Sequence, residues 1–122
     1  MGWRILLVDD DSMLREALAE TFSAEGHVVQ EAEHGGQALE LLASGCRPGI
    51  ILLDIMMPVM DGFCFLERKN ADPELAAIPV VVISATERRL PAGAVALLAK
   101  PFVPAELEEV IARHHAPLEP AG

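Results

Sequence analysis

The sequence predicts a doubly wound α/β domain, and three observations carry that expectation. Short runs rich in Val, Ile and Leu recur without polar alternation, as in strands buried on both faces of a parallel sheet. Helix-periodic stretches lie between these runs. The length, 122 residues, is that of one ordinary domain.

The elements follow in order. Ile5–Val8 is a continuous apolar run and the first strand. Met13, Leu14, Ala17, Leu18, Thr21 and Phe22 share one helical stripe, with Ser12 the expected N-cap and Gly26 the terminator. His27–Ala32 carries polar residues and suits an edge strand. Gly35–Ala43 brings Ala38, Leu39, Leu41 and Leu42 to a second helix, and Ile50–Leu53 is a third strand. Gly62–Asn70, with Phe63 and Leu66, is a third helix, flanked by Val80–Ile83 and Val95–Ala99 as the last strands. Pro104 stands in the first turn of a final helix bearing Leu107, Val110 and Ile111. Gly49 and Cys64 are given structural roles. Beyond Arg113 the paired His114 and His115 read as a frayed, solvated helix end rather than a metal site. The expected division is one domain over 1–116 and a flexible tail over 117–122.

Composition narrows the function. Apolar residues make up 52% and charged residues 23%, enough for a core and too apolar for a disordered chain. Nine Lys+Arg against 19 Asp+Glu give a net charge of −10. That excess opposes direct nucleic-acid binding, which needs a basic surface, and opposes anionic membranes for the same reason. No apolar run approaches the ~20 residues of a membrane span, and Met1-Gly2-Trp3-Arg4 does not open a signal peptide. Cys46 and Cys64 follow no metal-ligand spacing and read as free thiols of a cytoplasmic protein.

In an open α/β sheet, ligands sit beyond the carboxyl ends of the strands. Asp9, Asp10 and Asp11 follow the first strand, Asp54 the third, Ser84, Ala85 and Thr86 the fourth, and Lys100-Pro101 the fifth. Singly these are ordinary turn and cap residues. Their placement after four strands is the signal. Clustered carboxylates either hold protons more tightly or take up a cation. Oxygen-only ligands with room for water suit Mg²⁺. Lys100 and Ser84 would then serve an anion. Carboxylates, Mg²⁺, Lys and a hydroxyl form a phosphoryl-transfer set, in which an Asp can itself become an aspartyl phosphate.

These residues resemble the receiver domains of bacterial two-component response regulators. Ile5-Leu6-Leu7-Val8-Asp9-Asp10-Asp11 with Arg15 is similar to the family's opening, and Leu52-Leu53-Asp54-Ile55-Met56-Met57-Pro58-Val59-Met60-Asp61-Gly62 to its phosphoacceptor signature. Val82-Ile83-Ser84-Ala85 and Lys100-Pro101-Phe102 are similar to its remaining blocks, so the resemblance spans about residues 4 to 113. It implies a flavodoxin-like, CheY-like five-stranded parallel sheet of order 2-1-3-4-5. It implies that Asp54 accepts a phosphoryl group from a sensor histidine kinase or phosphotransfer protein, and that a downstream effector protein detects the change. It implies Mg²⁺ held by Asp10, Asp54 and the carbonyl of Met56, with Asp9 reaching it through water. Ser84 and Lys100 would hold the phosphoryl oxygens, next to a cis Lys100–Pro101 bond. Asp11 is not counted as a ligand.

The sequence departs from that family in two places. The fifth-strand position of the usual aromatic switch is Leu97, the chain has no Tyr, and the nearest aromatic is Phe102. Only the fifteen residues 85–99 separate Ser84 from Lys100, and they include Pro91 and Gly93, which oppose helix. The family's fourth helix is therefore expected to be a single turn or missing, leaving a short, mobile connection. That is either a harmless trimming or a sign that partners use another face, such as the first or last helix. The resemblance implies that the positions of Met56 and Thr86 flank the path of the hydrolysing water, where a bulky methionine would slow dephosphorylation; an ordinary surface or core methionine is the alternative.

The expected role is a phosphorylation-dependent signalling module that turns over no external substrate. With no effector domain after Arg113, its output would come from docking. An Mg²⁺-dependent phosphatase with an Asp nucleophile is the enzymatic alternative, but its usual general acid would fall on Met56, which moves no proton. A phosphorylation-independent interaction module is the other alternative. A flavin or dinucleotide site is disfavoured because no glycine-rich loop follows the first strand.

Overall fold

A computed structural model describes residues 2–56, 61–87 and 89–116. Its elements are β1 (Arg4–Val8), α1 (Ser12–Ala24), β2 (Val28–Ala32), α2 (Gly35–Ala43), β3 (Ile50–Asp54), α3 (Gly62–Ala71), β4 (Val80–Ser84), β5 (Ala96–Ala99) and α4 (Pro104–His114). All neighbouring strands are parallel, in the order β2-β1-β3-β4-β5.

Strand alternation sends successive side chains to opposite faces and builds two cores. Leu6, Val8, Ile51 and Leu53 pack with Ala38 and Leu42 of α2 and with Phe65 and Leu66 of α3. Ile5, Leu7, Ile50 and Leu52 pack with Ala19 and Phe22 of α1 and with Leu107 and Ile111 of α4. Every residue of β3 and β4 is buried, which explains their unbroken apolar sequence. β2 is the polar edge strand that its sequence predicts.

Three local expectations are corrected. Asp11, not Ser12, caps α1: its carboxylate accepts from the Leu14 amide at 3.2 Å, while Ser12 is already helical. His27 and Val95 lie just outside β2 and β5. Residues 114–116 are not a frayed, solvated end. His115 Nε2 accepts from the Arg4 amide at 3.0 Å, and the Ala116 amide donates to the Gly49 carbonyl at 2.9 Å. Trp3 stacks on His27 at 4.4 Å and lies 6.5 Å from His115. A Cβ at Gly49 would run into the His115 ring, so that glycine has a packing reason.

Among the described residues, no helix lies between Ser84 and Ala96. A turn closed by the Ala94 amide on the Pro91 carbonyl (3.1 Å) leads into β5 instead. Gly93 takes φ +89° there and abuts the Asn70 side chain. Residues 57–60 of the signature block and the expected tail over 117–122 lie outside the described residues. No helix among the described residues is long and apolar enough to cross a membrane.

Candidate functional site

The sheet brings the ends of β1, β3, β4 and β5 to one rim. There, one carboxylate oxygen from each of Asp9, Asp10 and Asp54 lies within 4.8 Å of the others. Asp9 and Asp54 are each only 7% exposed, whereas Asp10 faces solvent. Lys100 Nζ bridges the two buried carboxylates, 3.6 Å from Asp9 Oδ2 and 3.7 Å from Asp54 Oδ2.

Each side chain is aimed by its local backbone. Asp9 Oδ1 accepts from the Asp11 amide at 2.8 Å, and Asp54 Oδ1 from the Met56 amide at 3.1 Å. Lys100 is set by its own amide, which donates to the Ser84 carbonyl at 2.9 Å, and the following bond to Pro101 is cis, as the resemblance implies. Gly62 opens α3 against the end of β3; a Cβ there would lie 2.7 Å from Ile55 Cα, so only glycine lets the signature segment pass so close. Met56 itself is 65% exposed.

Burial, more than anything else, pushes the Asp54 carboxyl up to about 6; the Asp9 charge adds to this, and the Met56 amide and Lys100 work against it. A buried carboxylate beside two others, with one ammonium between them, has a surplus of negative charge. That surplus, an all-oxygen donor set and an open solvent side fit a hard divalent cation. Asp11, which was not counted as a ligand, has its carboxylate committed to the start of α1.

Ser84 is buried, and its Oγ accepts from the Thr86 and Glu87 amides at 3.1 and 2.8 Å. The hydroxyl thus caps the turn after β4, an arrangement the sequence pattern left unseen. Arg15 is the other unforeseen positioning residue. Buried under β1, it donates from Nη1 to the Asp9 carbonyl at 2.8 Å and pairs through Nε with Glu31 at 3.1 Å. A buried arginine on the inner stripe of α1, with acidic residues on β2, is the signal that marks it. Leu97 is partly buried against the α2–α3 core, so a packed aliphatic side chain occupies the position of the aromatic switch. Beside Lys100, a cavity of about 550 Å³ opens between Leu14, Ala17 and Leu18 of α1 and Phe102 and Pro104 leading into α4.

Comparison with known proteins completes these observations. The family model described as the response regulator receiver domain matches residues 5–112. The response regulator MprA of Mycobacterium ulcerans is 42% identical over 95% of this chain and 50% of its own length; MprA of Mycobacterium bovis is 41% identical with the same coverage. The chain thus spans about half the length of the curated relatives it matches. Among solved structures, the receiver domain of the sensor histidine kinase PA1611 from Pseudomonas aeruginosa, with magnesium in its active-site cleft, is similar at a TM-score of 0.84 and 29% identity, covering 93% of this chain and 98% of that one. The response regulator TrrA of Thermotoga maritima, in complex with Mg²⁺ and BeF, is similar at 0.79 and 30% identity, again covering 93% and 98%.

Proposed function

The chain belongs to the response regulator receiver family, a phosphoacceptor signalling module of two-component systems, and from that premise we propose that Asp54 is its phosphoacceptor. One observation carries this assignment: Asp54 is the buried carboxylate that shares Lys100 with Asp9 at the sheet rim.

Mg²⁺ is the cation the donor set fits; Asp9, Asp10 and Asp54 would hold it, together with the Met56 carbonyl that the resemblance implies. When bound, it would supply charge neutralisation for the incoming phosphoryl group. The chain's own residues do the rest. An Asp54 oxygen attacks phosphorus as the P–N bond of a phosphohistidine breaks; the imidazole leaves with the bonding pair and takes a proton from solvent. Lys100, already 3.7 Å from Asp54, moves its pairing to the phosphoryl oxygens. Ser84 already receives two amide protons on Oγ, which leaves its own O–H to donate to the phosphoryl group. Arg15 keeps the Asp9 backbone in place.

The donor is a cytoplasmic histidine kinase or phosphotransfer protein, and a downstream effector protein detects the phosphorylated form. The apolar groove between α1 and α4, which ends at Lys100, is the surface suited to that donor. No turnover of external substrate is expected, since exposed Met56 offers no proton where a phosphatase needs an acid.

Incubation with Mg²⁺ and acetyl phosphate, followed by intact mass measurement, tests this. One added phosphoryl group, absent in Asp54→Asn, is the expected result. Retention of the label in Asp54→Asn, or many turnovers of phosphate release from ester substrates, would overturn the assignment.

A further inference from the structure

We propose that the cleft at the foot of β1 and β2, at the opposite end of the strands from Asp54, binds a small oxyanion of the inorganic phosphate class. The inference stands apart from the phosphoacceptor assignment and would survive its failure.

The cleft has a volume of about 160 Å³ and is lined by Arg4, Gln30, Cys46 and Arg47, with Val28 and Pro48 as its apolar walls. Among the described residues, Arg4 Nε is the one buried side-chain nitrogen or oxygen lacking a hydrogen-bond partner. Arg4 also makes no ion pair among them. A buried N–H on a permanent cation without an acceptor is costly, and an anion held against the same guanidinium offsets that cost through its charge. Nε itself is closed to a ligand in the cleft, so the contact falls to the outer Nη1–Nη2 edge, which matches two oxygens of a tetrahedral oxyanion or a carboxylate.

The neighbours are set for an anion rather than a cation. Arg47 lies on the same cleft, and its Nη1 donates to the Leu42 and Cys46 carbonyls at 2.7 and 2.9 Å. Those bonds cover the carbonyls with which the end of α2 would otherwise repel negative charge. Nη2 pairs with Glu74 at 3.2 Å, but that carboxylate is 78% exposed and offsets little. Burial pushes the Cys46 thiol up, against the pull of Arg47, so it stays neutral. Gln30, which also lines the cleft, carries an amide able to donate to an anion. At roughly 30 Å³ per water, the space equals about five waters, room for phosphate or sulfate; it falls short of the several hundred Å³ that nucleotide-sized ligands occupy.

The test is a titration of the ¹⁵N-labelled protein with sodium phosphate, without Mg²⁺, against sodium chloride and sodium acetate at matched ionic strength. Phosphate is expected to give saturable shifts of the Arg4 Nε–H and of the Cys46 and Arg47 amides, with acetate weaker and chloride inert. Arg4→Gln should weaken binding at least about tenfold, the loss of one charge-assisted hydrogen bond. Arg47→Gln, on the exposed rim, should weaken it severalfold and serves if Arg4→Gln does not fold. Shifts that follow ionic strength alone, shifts confined to the Asp9–Asp54–Lys100 rim, or an unchanged affinity in Arg47→Gln would each show that only water fills the cleft and would overturn the proposal.

Discussion

Asp54 is held in a place that does not suit its own charge. Its carboxyl is raised from 3.8 to about 6, chiefly by burial, so the folded protein binds a proton there more tightly than the unfolded chain. The stabilisation from that proton is full below about 3.8 and is lost as pH rises through about 6. At neutral pH without metal, the ionised Asp54 therefore destabilises the fold. Asn keeps an oxygen for the Met56 amide and can offer its NH₂ to Asp9. Asp54→Asn is thus expected to raise stability at pH 7 by about 1 to 2 kcal/mol in chelator, checked by urea denaturation; an equal or lower midpoint would contradict it. The aspartates and Lys100 were legible as separate residues because each follows a strand. The clamp of Arg15 on the Asp9 carbonyl and the two amides on Ser84 were not, since both depend on distances that spacing does not encode.

At the scale of elements, apolar periodicity placed α2 at Gly35–Ala43, as the structure has it. The α1 cap slipped by one residue because Asp11 and Ser12 are both competent caps, and only the backbone at Asp11, still extended, decides between them. That no helix lies between β4 and β5 among the described residues was legible from Pro91, Gly93 and the shortness of the segment. What replaces it was not: Asn70 of α3 packs on Gly93, and the buried Lys69 Nζ donates to Asn70 Oδ1 at 2.8 Å and to the Ala76 carbonyl at 3.0 Å. Desolvation lowers the Lys69 ammonium from 10.5 to about 8. The folded state therefore binds fewer protons than the unfolded one between these values, and stability gained from Lys69 grows as pH rises from about 8 to 10.5. Urea denaturation across that range should show the wild type gaining on Lys69→Met as pH rises; a constant difference would contradict the burial of the ammonium.

For the whole molecule, the parallel sheet and the rim were legible because central parallel strands are buried on both faces and ligands gather where those strands end, whereas the strand order came only with the resemblance to the receiver family. The closure of the far end was not. Trp3, His27 and His115 come from both ends of the chain, and the packing of His115 against Arg4 is a long-range contact that no local pattern announces. The rim, in turn, makes one claim on which the phosphoacceptor role depends: Asp9, Asp10 and Asp54 together bind one divalent cation. Calorimetric titration with Mg²⁺ tests it most directly. One Mg²⁺ per chain is predicted, with apparent affinity falling by up to roughly tenfold per pH unit below about 6 as the metal competes with the Asp54 proton. No detectable uptake at neutral pH, or uptake unchanged in Asp54→Asn, would contradict the account.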